Sequence, residues 1–112
     1  MIFGLFKKRT PFPSTEQLVV MSNAAIDDLK QKWIHFCQTI PCRDEVSLAE
    51  RIDMFAIPAY EFMQLKYPFV MQGGAKAFWL SVFTAVKESG THPTEQVTEG
   101  VSELNQKYGQ DH

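Results

Sequence analysis

The chain has little of what most small catalytic or metal-binding domains are built from. Its 112 residues hold two cysteines, Cys37 and Cys42. That is too few for the disulfide framework of a small secreted domain, and it points to a reducing, cytoplasmic compartment. Three histidines, His35, His92 and His112, are scattered along the sequence and form no cluster. His35 and Cys37 are two residues apart on an expected helix, where two steps turn the chain by about 200°, so they cannot share an ion. No metal site, no cofactor site and no Ser/His/Asp or Cys/His set follows from the spacings. An apolar run of the roughly 18 residues needed to span a bilayer is missing. Charge of one sign is missing too. Eleven Lys and Arg stand against thirteen Asp and Glu, for a net charge of -2. That balance argues against the broad basic face of a nucleic-acid binder. Internal repeats and low-complexity segments are absent.

What is present is a globular composition, 45% hydrophobic and 12% aromatic, in a chain long enough for one core. Residues 1–13 read as an apolar and basic tail followed by the extended segment Thr10-Pro11-Phe12-Pro13. Residues 14–109 read as a single helical domain, and residues 110–112 as a second tail. Ser14 with Gln17 forms a capping box, and Leu18, Met21, Ala25, Leu29, Trp33, Phe36 and Ile40 follow at steps of three and four. This predicts a helix over 15–39, stopped by Pro41. Ser47 with Glu50 opens a second helix carrying Leu48, Ile52, Phe55, Ala59, Phe62 and Met63. Pro58 falls inside it and is expected to kink or split it. A third stripe, Ala75, Phe78, Trp79, Val82, Phe83 and Val86, ends at Gly90, and a fourth, Val97, Val101, Leu104 and Tyr108, ends at Gly109. The expected fold class is all-α, a compact bundle of about four helices.

The apolar residues are unevenly spread. Residues 54–83 contain Phe55, Tyr60, Phe62, Tyr67, Phe69, Phe78, Trp79 and Phe83 but only three charges, Glu61, Lys66 and Lys76. Phe55 and Phe62 share one side of the second helix, while Tyr60 and Tyr67 share another. Two readings follow. Helices 2 and 3 form a central hairpin covered on both sides, or part of this apolar surface is left over after the bundle closes.

The expected function rests on the second reading. The chain is expected to be a non-enzymatic helical interaction module, joined to itself as a homodimer or to another protein. The surface would be Phe55, Tyr60, Phe62, Met63, Tyr67, Phe69, Phe78 and Trp79. An alternative is a carrier or enzyme for a small apolar ligand, with an aromatic pocket between helices 2 and 3 and Glu61 and Lys76 at its mouth. A further alternative is a peripheral membrane accessory. There Ile2, Phe3, Leu5 and Phe6 insert shallowly while Lys7, Lys8 and Arg9 make weak contact with anionic headgroups. Cys42, in a loop beside Arg43, is the better candidate for a reactive thiol, although Asp44 and Glu45 oppose a lowered pKa. Gly73-Gly74-Ala75-Lys76 at a helix start has the chemistry to hold an anion but lacks the spacing of a phosphate-binding loop.

Overall fold

The computed structural model describes residues 12–40 and 46–109. Among them there are five helices and no strand: α1 (Thr15–Thr39), α2 (Leu48–Lys66), α3 (Pro68–Met71), α4 (Gly74–Ser89) and α5 (Thr94–Gly109). Local chemistry explains the boundaries. Ser14 accepts from the Gln17 amide at 3.2 Å and its own amide donates to the Gln17 side chain at 2.8 Å. Ser47 and Glu50 repeat this arrangement at the start of α2, at 3.1 and 3.2 Å. Each box satisfies two of the amides that a helix N-terminus leaves without partners. Gly90 ends α4 in the left-handed region, with φ 71°.

The all-α class therefore holds, with one more helix than the periodicity suggests. Pro58 does not split α2, which runs unbroken from Leu48 to Lys66. Proline removes one amide donor, and the carbonyl this leaves over belongs to Met54, an exposed residue where water can take the donor's place. The break comes instead at Tyr67-Pro68. Pro68 cannot continue α2 but suits the first turn of a new helix, and α3 results. Gly73 and Gly74 then turn the chain into α4. Gly74 has φ 84°, and a Cβ on Gly73 would lie 2.7 Å from the Ala77 Cβ. These two glycines serve the turn, and Lys76 beside them is exposed.

The helices pair as α1 with α4 and α2 with α5. The second and third predicted helices, α2 and α4, touch far less, so they are not a central hairpin. Small buried residues suit the close pairs: Ala25 on α1, Ser81 and Ala85 on α4, Ala49 and Ala56 on α2. Gly100 brings α5 against the first turn of α2, where a Cβ would stand 3.5 Å from the Ala49 amide nitrogen. The core between the pairs contains Leu29, Trp33, Ile52, Phe55, Met63, Phe78, Val82 and Val86. Trp33 is sealed from solvent yet satisfied, since its indole N–H donates to Thr91 Oγ1 at 2.8 Å. Phe12, ahead of α1, sets its ring edge-on to Phe69 with centroids 5.7 Å apart.

Candidate functional site

The aromatic window divides into three fates. Phe55, Met63 and Phe78 are core residues. Phe55 meets Trp33 edge-on at 5.3 Å and Phe36 at 5.4 Å. Phe62, Tyr67, Phe69 and Trp79 are half-buried at its margin. Trp79 stacks on Phe83 and Tyr108, and Phe62 lies against Tyr67 with the Lys32 ammonium 4.4 Å above its centroid. Tyr60 alone is well exposed, its ring edge-on to Phe78 and its hydroxyl accepting from Gln64. Glu61 and Lys76 are exposed as well.

The apolar surface that remains consists largely of aliphatic residues. On the outer side of α2, away from Ile52, Ala59 and Met63, stand Met54, Ile57, Pro58 and Leu65, which run at steps of three and four when Glu61 is counted with them. Ile57 is 71% exposed and Leu65 86%. Glu61 is the only charge among them. Pro58 also lines a groove of about 460 Å³ between α1 and α2, whose apolar walls are Phe36, Ile40, Phe55 and Ala59. His35, Lys32 and Gln31 form its polar rim. Outer face and groove are thus continuous through Pro58. A second groove, of about 470 Å³, lies between α1, α3 and α4 and is lined by Leu18, Ile26, Phe69 and Leu80, with Phe12 at its edge.

Two matched polar clasps fix α2 at its ends. Lys66 Nζ donates to Asp28 of α1 at 3.0 Å, and the Tyr67 hydroxyl donates to the same carboxylate oxygen. At the other end, Lys107 Nζ and the Tyr108 hydroxyl of α5 donate to Asp53 of α2 at 2.8 and 2.5 Å. The hydrogen bond from Tyr67 holds the Asp28 carboxyl below its usual value against an opposing burial effect. Burial pushes Asp53 up, but the bonds from Lys107 and Tyr108 outweigh it and the net direction is down. Burial, helped by Asp28, raises the Tyr67 phenol to about 12. The Lys-Tyr pair at the C-terminal end of both α2 and α5 is the sequence signal for these clasps.

Arg51 is the side chain that periodicity should have singled out. It stands three residues after Leu48 and four before Phe55, on the inner side of α2, and it is 2% exposed. One terminal nitrogen donates to the Ile40 carbonyl at 2.8 Å, while Nε has no partner among the described residues. Half-buried His92 is nearby, its ring 6.1 Å from that of Trp33 and its Nδ1 2.9 Å from Thr91 Oγ1. Burial, then the charge of Arg51, lowers its pKa.

Among the described residues no group of three His, Cys, Asp or Glu side chains converges to hold a metal, and no helix is long and apolar enough to cross a membrane. Lys7, Lys8, Arg9 and Cys42 lie outside the described residues. The fold defines an all-α protein with an aliphatic outer face on α2 and a buried arginine at one end of that helix. Comparison with family models, with curated proteins and with solved structures finds no match for this chain.

Proposed function

We propose that the chain is a non-enzymatic helical interaction module that self-associates through the outer face of α2. The observation that carries this reading is the exposure of Met54, Ile57 and Leu65 on one side of a helix whose opposite side is fully engaged in the core. Scattered exposed aliphatics are ordinary, but a stripe at helical spacing has the form of half a helix–helix seam. A second copy supplies a matching stripe. In an antiparallel pair, facing residues have numbers with a constant sum. An axis between Ala59 and Tyr60 sets Met54 against Leu65 and Pro58 against Glu61 of the second copy. The two Glu61 carboxylates are then offset by close to one helical turn instead of colliding. This is an isologous contact, the commonest form of small oligomer. The surface differs from the aromatic set expected at first, because Phe55, Met63 and Phe78 are used by the core. Of that set Tyr60 borders the face. A reducing cytoplasmic location remains part of the proposal, on the strength of the low cysteine content.

Light scattering on the separated protein tests the proposal. A dimer that dissociates in Ile57→Glu and Leu65→Glu, with helical content retained, supports it. A wild-type chain that stays monomeric up to its solubility limit overturns it.

A further inference from the structure

A pocket of about 330 Å³ lies between the first turn of α2 and α5 and is lined by none of the outer-face residues of α2. Its floor includes Arg51 and His92, one wall is the α2 N-terminus at Ser47, Leu48 and Ala49, and the other wall carries Gln96, Glu99 and Glu103. The Arg51 guanidinium is unusual. It is permanently charged, 2% exposed, and paired with no carboxylate among the described residues. Its described partner is the Ile40 carbonyl, and Nε has no partner among the described residues. A buried charge in this state is strongly unfavourable unless an anion compensates it. Among the described residues no carboxylate forms an ion pair with it. The α2 N-terminus adds partial positive charge to the same end of the pocket. His92 is half-buried and held toward its neutral form, so it adds no second full cation near neutral pH.

The other wall has the opposite character. Glu99 and Glu103 are one helical turn apart on α5, both exposed and without ion-pair partners among the described residues. A simple anion entering here would gain from Arg51 and be repelled by these two carboxylates. A simple cation would meet the reverse. A small molecule carrying both charges a few bonds apart satisfies both ends, and Val46 and Leu48 provide apolar surface for an aliphatic part.

We infer that this pocket binds a small zwitterion of the free α-amino acid class, its carboxylate at Arg51 and the α2 N-terminus and its ammonium at Glu99 and Glu103. The carboxylate accepts from the guanidinium, whose charge is thereby compensated, and from the unoccupied amides at the start of α2. The site and the self-association face share no residue, so either can fail without the other.

Isothermal titration of the full chain with a panel of free aliphatic α-amino acids tests the inference. Acetate, ethylamine and inorganic phosphate serve as one-charge controls. Saturable binding of an amino acid is expected, with each control weaker by at least about tenfold, equivalent to about 1.4 kcal/mol. Arg51→Met removes the binding. Because that variant changes a buried position, Glu99→Gln and Glu103→Gln on the solvated wall give the second test. Each is expected to weaken amino-acid binding several-fold while circular dichroism is unchanged. The inference is overturned if no amino acid binds the folded wild type. It is equally overturned if acetate or phosphate binds as well as the amino acid, or if neither glutamate variant changes the affinity.

Discussion

The two sides of α2 are both apolar and meet opposite fates. Ile52, Phe55, Ala59 and Met63 are sealed by α1, α4 and α5, whereas Met54, Ile57 and Leu65 face outward. Hydrophobicity does not separate them, since Leu65 is as apolar as Ile52. What separates them is the pair of clasps. Asp28 with Lys66 and Tyr67 ties the C-terminal end of the helix to α1, and Asp53 with Lys107 and Tyr108 ties the N-terminal half to α5. Together they orient the helix about its own axis. The comparison teaches that an apolar helix needs polar contacts at its flanks to specify which apolar side turns inward.

The largest effect should come from the inner side. Phe55→Ala is expected to destabilise the fold by about 3–5 kcal/mol in urea unfolding, because it removes a ring packed on Trp33 and Phe36. Leu65→Ala, outward and 86% exposed, is expected to change monomer stability by no more than about 0.5 kcal/mol. Equal losses at the two positions would break the comparison.

Breaking a clasp comes next. Asp28→Asn is expected to cost about 1 kcal/mol, given the partial exposure of its ion pair. The clasps also impose a pH dependence with a definite sign. Asp28 and Asp53 titrate lower in the folded chain than their ordinary 3.8. The stability they contribute is complete above that value and is lost as the pH falls through their folded values. Tyr67 is raised from 10.0 to about 12, so its contribution is complete below pH 10 and lost as the pH rises toward 12. Unfolding free energies measured across pH should fall at both extremes. In Asp28→Asn the acid limb should flatten, and the ultraviolet titration of the Tyr67 phenol should move down.

The smallest effect sharpens the contrast on the side of α2 that meets α5. A Cβ at Gly100 would meet Ala49 and Leu48 at 3.5 to 3.7 Å, which is ordinary packing distance. Gly100→Ala should therefore stabilise the chain by about 0.5–1 kcal/mol through reduced unfolded-state freedom, seen as a raised Tm. Destabilisation would mean that α5 cannot tolerate even this contact.

Much of the fold was legible because it is written locally. Ser14 and Gln17, or Ser47 and Glu50, are three residues apart and meet wherever a helix begins. Gly90 closes α4 because the left-handed cap suits glycine. Pro58 leaves α2 unsplit because the carbonyl it frees belongs to exposed Met54, which the linear pattern does not reveal. The candidate sites were less legible. Arg51 interrupts the inner stripe and reads as a surface residue until Ile40 and His92 close over it. Asp28 reads as part of the polar face of α1 until Lys66 and Tyr67 arrive from 38 and 39 residues away.

The sequence by itself determined that this chain is helical, where α1 begins and ends, where α2 begins and where α4 and α5 end, and that its centre carries more apolar surface than one stripe needs. These follow from interactions within a few residues, which a linear pattern records. Only the tertiary structure decided that α1 pairs with α4 and α2 with α5, and that Phe55 and Phe78 turn inward while the aliphatics Met54, Ile57 and Leu65 of α2 remain outside. It also decided that an arginine is buried in a pocket that shares its lining with Glu99 and Glu103. Those outcomes depend on which faces fit together at a distance: the periodicity marks the face a helix buries, but not the helix it is buried against.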